Sequence, residues 1–443
     1  MKNTVYIVHC IDTEGPLSET LKSTFERLKN IYGFNITPSK LNLTKIQNKK
    51  INFNGLEEEI SNTFSKNLLE YNDSWLKIDK MLKKITKKNF RNKFKDSFDG
   101  GWIFNWFIMD HYGYISNPRK RTLGIHKIWD KYESFYKSIK IKDSFHFHHH
   151  PLSFSKSANH CSTHYFNNQP IIYEILNKRL IDKKWFPSVY RPGFHTIRPD
   201  SHWFLEQFIP FDYSNQSMIS SSENKSDLSG GRFGDWRRSI KSWSPYNPSH
   251  DDYQIKGNCR RFTARCLNVG TRHKLLDADD VEYAFYEASI NKPVILSFTN
   301  HDYRDISRDM SNVYDMIKKA SKKYNKVNFK WCDARDAMRL SLKLKNIKNE
   351  VKQEISNNKF ILKFKNPIFG PQPYLAFKSK DGDYFNDNFD IQKPFHEWTY
   401  FFDEHTIKIN QLLEFCWAAN DKYGNTYIGS INLKTKETNC KVI

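Results

Sequence analysis

The chain has 443 residues, 38% of them hydrophobic and 15% aromatic, so it is long and apolar enough to fold around a core. Its net charge is +21, but the lysines are spread along the whole chain, which indicates a composition bias and not a nucleic-acid-binding patch. We find no secretion signal and no apolar run of about 18 residues, so we expect neither export nor a membrane span. The seven scattered cysteines are typical of a reducing cytoplasm.

The first predicted strand, Val5 to Cys10, leads directly to two carboxylates. Its β-branched and aromatic residues are typical of a buried strand. Asp12 and Glu14 follow two positions apart, and Gly15-Pro16 then ends the strand. An ordinary acidic turn would also fit, but Asp-x-Glu at the mouth of the first buried strand is a more specific signal.

Residues 17–97 are rich in lysine and have a helical period, which predicts two or three amphipathic helices that pack on the fold or cover the mouth of a site. A strongly aromatic strand is predicted at 102–109. A helix from about 128 to 139 then leads to a dense group of histidines.

This histidine group is His146-Phe147-His148-His149-His150-Pro151, which holds four of the 16 histidines of the chain. Neutral imidazole is a common ligand of zinc-like metals. On a helical turn, His146 and His150 would share one face, about 5–6 Å apart at Cβ. On a strand, His146 and His148 would share one face, roughly 6.5 Å apart. Either geometry can hold a metal, and a polar loop without a metal is the remaining interpretation.

The next part of the chain alternates helices and strands. Helices are predicted at 171–180 and 200–208, and strands at 185–190 and 211–214. The first of these strands ends at Arg191, which adds a polar residue at a strand end.

Residues 215–260 are predicted to be loop-rich. Long loops inside a folded domain are usually functional, and aromatic rings stack on the apolar faces of sugars. We therefore predict that Asp235, Trp236 and Tyr246 bind substrate. Filling the rim of the fold is the alternative role for these aromatic residues.

The clearest buried strand is 293–298, and His301 follows it closely. The elements around it are a preceding helix at 279–288 and a following helix, strand and helix at 310–324, 327–331 and 333–344. From about Lys348 the pattern changes to short strands separated by turns such as Asp381-Gly382, which predicts an all-β, β-sandwich-like domain at 346–443. We expect residues 1–345 to fold without it.

Strands alternate with helices up to residue 344, which predicts a parallel α/β architecture. The polar candidates all follow strands: Asp12, Glu14, the histidine group, Arg191 and His301. In a closed β/α barrel such positions meet at one rim, whereas an open sheet would gather fewer of them. The pattern therefore favours a barrel.

These motifs, in this order, resemble those of the polysaccharide deacetylase superfamily, the NodB-homology domain. The matching segments are Asp12-Thr13-Glu14, His146 to Pro151, Tyr190-Arg191-Pro192-Gly193-Phe194, Asp235-Trp236 as a weak echo, and Leu296 to His301. The resemblance implies a distorted (β/α) barrel over residues 1–345, with a helical insertion at about 17–97 and the C-terminal all-β domain outside it.

By this resemblance, Glu14, His146 and His150 would bind one divalent metal ion, zinc being the expected one. Asp12 would be the general base, Arg191 would orient it and keep it ionised, and His301 would protonate the leaving amine. Two departures matter: the acidic motif is Asp-x-Glu in place of adjacent aspartates, and the extra His148 is an alternative ligand.

The implied activity is removal of an N-acyl group, N-acetyl in the first instance, from an amino sugar in glycan biosynthesis. The expected substrate is a carbohydrate, nucleotide- or lipid-linked if the protein acts in the cytoplasm, and no nucleic-acid partner is expected. The competing hypothesis is a catalytically inert carbohydrate-binding protein on the same fold.

Overall fold

Seven parallel strands close into a barrel in the computed structural model, which describes residues 3–139, 141, 143–160, 169–219, 234–435 and 437–443. The strands are β1 Thr4–Thr13, β2 Phe104–Ile108, β3 Ser144–His149, β4 Val189–Pro192, β5 Phe211–Asn215, β6 Phe262–Asn268 and β7 Val294–His301. The ring closes because β1 pairs with both β2 and β7. The predicted parallel barrel is confirmed, while Cys161 and residues 220–233 of the predicted loop lie outside the described residues.

An eighth strand makes the barrel irregular. β8, Asn328–Trp331, pairs with the first half of β1, from Thr4 to Ile7. The second half of β1, from His9 to Thr13, pairs with β2. On one side β1 pairs with β7 along most of its length, and on the other side its partner changes from β8 to β2. The carboxyl half of β1, which leads to Asp12 and Glu14, is therefore part of the closed ring.

The insertion between β1 and β2 contains six helices in place of the two or three predicted. They are α1 Leu21–Tyr32, α2 Lys40–Gln47, α3 Glu57–Thr63, α4 Lys66–Leu69, α5 Trp75–Ile85 and α6 Lys88–Arg91. Four of them follow a serine or threonine at the N-cap position, and Thr20, before α1, accepts from the Ser23 N–H. Buried residues such as Phe25, Ile46 and Phe64 give the insertion an apolar cluster of its own. It follows the carboxyl end of β1 and so stands over that rim.

Further helices cover the outside of the barrel: α7 Lys127–Ile139, α8 Gln169–Lys183, α9 Pro199–Phe208, α10 Ala278–Ser289, α11 Ser307–Lys323 and α12 Ala334–Ser341. Their buried residues recur at helical spacing, as Met310, Val313 and Ile317 do in α11. The strands are buried along nearly their whole length, which is expected of a parallel sheet covered by helices.

The C-terminal region forms two antiparallel sheets, as predicted. Its strands are β9 Val351–Ser356, β10 Lys359–Phe364, β11 Tyr374–Ser379, β12 Tyr384–Asp387, β13 Asp390–Lys393, β14 Glu397–Phe401, β15 Leu412–Asn420, β16 Thr426–Asn432 and β17 Thr438–Val442. One sheet has the order β13-β14-β10-β9 and the other β12-β11-β15-β16-β17. Aromatic residues from both, including Trp398 and Trp417, share one buried cluster.

The five-stranded sheet also shares an apolar core with the barrel helices. Leu176 of α8 and Phe208 of α9 belong to the same buried cluster as Tyr374 and Cys416. The Asn420 side chain donates to the main-chain oxygen of Phe208 at 2.8 Å. The C-terminal region therefore covers an apolar face of α8 and α9.

Candidate metal centre

The carboxyl ends of four barrel strands bring the predicted site residues together. Asp12 and Glu14 stand at the end of β1, and His301 is the last residue of β7. His148 lies in β3, next to Arg191 of β4 in the strand register. Parallel strands expose their carboxyl ends at one rim, so residues far apart in the sequence share one site.

Glu14, His148 and His150 form a buried group that could hold a metal ion. Their ligand atoms all lie within 4.8 Å of one another. The two Nε2 atoms of His148 and His150 are 3.0 Å apart, and His150 Nε2 is 3.7 Å from Glu14 Oε1. Zinc–nitrogen bonds of about 2.0–2.1 Å can span such a pair.

The tautomer of His148 fits this role. Its Nδ1 lies 2.9 Å from the main-chain oxygen of Arg191, and since a carbonyl only accepts, Nδ1 carries the proton. Nε2 is then left with its lone pair, directed at His150. Metal-binding histidines commonly donate their other ring N–H to such a carbonyl. Two imidazoles and one carboxylate are also the donor set of catalytic zinc sites, so these residues fit a divalent metal.

His146 lies apart from this group, although it is the ligand that the resemblance implies. Its Nε2 is 3.3 Å from Asn105 Oδ1 and 3.5 Å from Asp333 Oδ2. The segment is a strand and not a helical turn, so four residues span about 13 Å and His146 cannot meet His150. The alternative ligand, His148, is grouped with His150 and Glu14 instead. The His146/His148 pair that a strand also allowed is not the pair that the structure brings together with Glu14.

Asp12 is 3% exposed and is held by Arg191, whose Nε donates to Oδ1 at 2.6 Å. Burial alone would raise the pKa of this carboxyl, but Arg191, followed by His148 and His301, lowers it below its usual value. Arg191 is fixed in turn by donating to the main-chain oxygen of Tyr213 at 3.1 Å. Asp12 is therefore a buried, ionised carboxylate with Oδ1 already engaged.

The turn after β1 is fixed by Asp302, which the sequence analysis did not single out. The N–H groups of Glu14 and Gly15 donate to its two oxygens at 2.9 and 3.0 Å, and the Tyr132 hydroxyl donates at 2.8 Å. Burial raises the pKa of Asp302 to about 7. Asp302 follows His301 directly and is an acidic residue at a strand end, and this position could have indicated a role in the site from the sequence alone.

The Arg-Pro-Gly-Phe segment makes room for His150. A Cβ on Gly193 would come within 2.1 Å of the His150 ring, so no larger residue fits there. Phe194 and His195 both have positive φ, and Trp236 donates to the His195 main-chain oxygen at 2.8 Å. Burial lowers the pKa of His150 well below its usual value, so the imidazole is neutral, as a metal ligand must be.

The residues predicted to bind substrate lie elsewhere. Trp236 and Tyr246 are only 1% and 3% exposed. The Tyr246 hydroxyl donates to the Tyr253 main-chain oxygen, and Asp235 binds Arg237 at 2.9 Å. None of the three lines the cavity that lies over Glu14 and His150. Both aromatic side chains are therefore buried in loops and do not face this cavity, and Tyr246 pairs with Thr263 at the amino end of β6.

This cavity has a volume of about 430 Å³. It lies over Glu14, His148 and His150, which we call the metal group. Asp12, Glu14, His150 and His301 line its floor, and the opposite wall comes from the insertion, including Arg27 of α1. The insertion therefore covers the mouth of the site, which is one of the two roles predicted for it.

No family model, no curated protein and no solved structure matches this chain. Among the described residues, no helix is both long and apolar enough to cross a membrane.

Proposed function

We propose that this protein is a metal-dependent hydrolase that removes an N-acyl group, first of all N-acetyl, from an amino sugar. The observation that carries the proposal is the buried Glu14, His148 and His150 group, with Asp12 and His301 beside it at the carboxyl rim of a parallel barrel. The order of the motifs, which resembles that of polysaccharide deacetylases, supports the same chemistry. Glycan biosynthesis is the process we assign to it.

In this proposal, Glu14 and the Nε2 atoms of His148 and His150 would hold one divalent ion, with zinc favoured by the nitrogen and oxygen donors. When bound, the ion would supply Lewis acidity for an amide carbonyl and a water molecule. Three protein ligands leave positions open for substrate.

Asp12 has the position of a general base. Arg191 engages Oδ1, whereas Oδ2 is directed to the His301 side of the site, 3.6 Å from His301 Nε2. An ionised carboxylate held in this way can accept the proton of an attacking water. Arg191 does not touch the reacting atoms in this scheme and is a positioning residue.

His301 is placed to pass a proton on. Its Nε2 lies 3.6 Å from Asp12 Oδ2 and 3.7 Å from Glu14 Oε1. Burial lowers the pKa of His301 to about 3, so the resting imidazole is neutral. It therefore acts as the acid only after taking the proton that Asp12 has removed from water, and it then gives that proton to the leaving amine.

The test is acyl release by the full chain from a panel of N-acetylated sugars in free, nucleotide-linked and lipid-linked form. Mass spectrometry detects the free amine and proton NMR detects acetate, each with added zinc, after chelation and after zinc is restored. We expect release that chelation abolishes and zinc restores. Retained metal and sugar binding without cleavage of any substrate would favour the carbohydrate-binding alternative.

A further inference from the structure

Three arginines converge in the wall of the cavity around two tyrosines. The Arg119 guanidinium lies 5.2 Å from the centre of the Tyr71 ring, and that of Arg121 lies 4.8 Å from the centre of the Tyr303 ring. Arg304 lies over both rings, at 5.4 and 5.1 Å. All five side chains line the cavity. We call Arg119, Arg121 and Arg304 the arginine cluster.

Carboxylates balance only part of this charge. Glu19 serves two arginines at once, because Arg27 donates to both of its oxygens at 3.0 Å while Arg119 Nε lies 3.3 Å from Oε1. Arg304 donates to the main-chain oxygens of Leu68 and Gly270 and has no carboxylate at ion-pair distance among the described residues.

Arg121 has an unused Nε donor although it is only 8% exposed. Its Nη1 forms an ion pair with Glu14 Oε2 at 2.8 Å, whereas its Nε has no hydrogen-bond partner among the described residues. Buried donors without a partner are costly, so they indicate a ligand that completes the site. In the proposed function Glu14 also binds the metal, which reduces the negative charge that it offers to Arg121.

We propose that the substrate carries an oxyanion, a carboxylate or a phosphoryl group, which the arginine cluster binds next to the metal group. The planar guanidinium presents paired donors that match such groups, and the tyrosine rings keep the arginines in place. A cavity of about 430 Å³ has room for a small ligand, so we assign a compact anionic amino sugar and not a neutral polymer. This inference rests on the proposed function, since the oxyanion belongs to the amide substrate.

A purely structural role does not account for the whole cluster. Arg304 ties the loop after β7 to Leu68 of the insertion, and Arg119 donates to the Tyr71 hydroxyl. Neutral donors could make both links, so these links do not explain why three positive charges face one cavity. Burying unbalanced charge is unfavourable unless an anion arrives to pair with it.

The first experiment is calorimetry on the full chain, with and without added zinc. The probes are N-acetylglucosamine, N-acetylglucosamine 6-phosphate, N-acetylmuramic acid and inorganic phosphate. We expect one of the charged sugars to bind at least about tenfold more tightly than N-acetylglucosamine in both states, since hydrogen bonds to charged groups are strong. Comparison of the two charged sugars separates phosphoryl from carboxylate. Equal binding of all three sugars would overturn the inference.

The second experiment compares variants for binding of the preferred charged sugar. Arg304→Gln should weaken it at least about tenfold, Arg304→Lys should recover part of that loss, and the control Arg308→Gln should bind like the wild type. Arg308 is a matched control because its partner is Glu70, at 2.7 Å on the exposed surface. Folding is checked by circular dichroism. A folded Arg304→Gln variant with wild-type affinity would overturn the inference.

The two proposals fail separately. Anion binding that persists while no amide is cleaved and no metal is retained would refute the proposed hydrolase and leave the oxyanion site standing. Zinc-dependent cleavage of a neutral sugar that is as fast as that of its charged analogues would refute the oxyanion site alone.

Discussion

His148 donates through Nδ1 to the main-chain oxygen of Arg191 at 2.9 Å, and the Arg191 side chain donates to Asp12 at 2.6 Å. The two residues are also opposite each other in the β3–β4 register. Arg191 therefore acts on two candidate site residues. Its main-chain oxygen sets the tautomer of His148, the candidate metal ligand, and its side chain keeps Asp12, the candidate base, ionised. This link joins the candidate metal ligand His148 to the candidate base Asp12 through one residue.

Asp12→Asn and His301→Gln should each keep the fold and the metal but lose amide hydrolysis by about 10²–10⁴-fold. Neither residue belongs to the group of three metal ligands, and Asn keeps an oxygen that can accept from Arg191. The measurement is kcat on the best substrate of the panel, with metal content and the circular dichroism spectrum as controls. Wild-type turnover in either variant would refute its assigned role.

Gly193→Ala should displace the His150 ring and lower the metal content, because the new Cβ would lie 2.1 Å from His150 Cδ2. Gly382→Ala is the control: its φ of 92° strains alanine, but no atom lies within 4 Å of the new Cβ and the residue is far from the site. Zinc per chain is measured in both purified variants. Full zinc occupancy in Gly193→Ala would show that His150 is not a ligand or that the turn shifts freely.

His9 should make the protein less stable as the pH falls. Trp102 donates to its Nδ1 at 3.0 Å, its Nε2 pairs with Asn300, and burial lowers its pKa to about 4. Between the unfolded value of about 6.5 and this folded value, the native state binds fewer protons than the unfolded chain. The free energy of unfolding should therefore decrease on acidification, by about 1.4 kcal/mol per pH unit for this group.

Urea unfolding of wild type and His9→Gln at several pH values between these limits, with chelator present, measures that contribution. The other buried histidines contribute to both proteins, so the informative quantity is the difference between the two slopes of unfolding free energy against pH. The slope should be smaller for His9→Gln than for the wild type. Identical slopes would contradict the assignment of His9 as a buried neutral imidazole.

Truncation after Lys345 should give an unstable or molten product, contrary to the expectation drawn from the sequence. The cut would expose the apolar cluster that joins Leu176 and Phe208 to Tyr374 and Cys416. At about 25 cal/mol per Å² of apolar surface, losing such an interface removes several kcal/mol. Near-ultraviolet circular dichroism and urea unfolding test this. A truncated chain that unfolds cooperatively with near wild-type stability would contradict the prediction.

The sequence could predict the barrel because β1, β2 and β7 are largely apolar and because polar residues lie at the carboxyl ends of several strands that alternate with helices. β6 escaped prediction because Arg265 interrupts its apolar residues, and only the fold shows that Asp280 pairs with this buried arginine at 2.6 Å. The predicted strand at 185–190 begins later, at Val189, since the segment before it is irregular.

The choice of ligands could not be made from the sequence, because four clustered histidines suit both a helical and an extended period. Pairing of β3 with β2 and β4 makes the segment a strand, and the position of Glu14 beside its carboxyl end groups His148 and His150 with that carboxylate, while His146 lies beside Asn105 and Asp333. The arginine cluster also escaped prediction. Arg119 and Arg121 come from the loop after β2 and Arg304 from the loop after β7, so no local spacing relates them.

Zinc stoichiometry is the most direct test of the metal centre, since the two candidate ligand sets differ at one histidine. Inductively coupled plasma mass spectrometry of wild type, His148→Ala and His146→Ala, each dialysed against zinc and then buffer, decides between them. We predict one zinc per chain in the wild type and in His146→Ala, and a large loss in His148→Ala. Full occupancy in a folded His148→Ala, or loss confined to His146→Ala, would contradict the site described here.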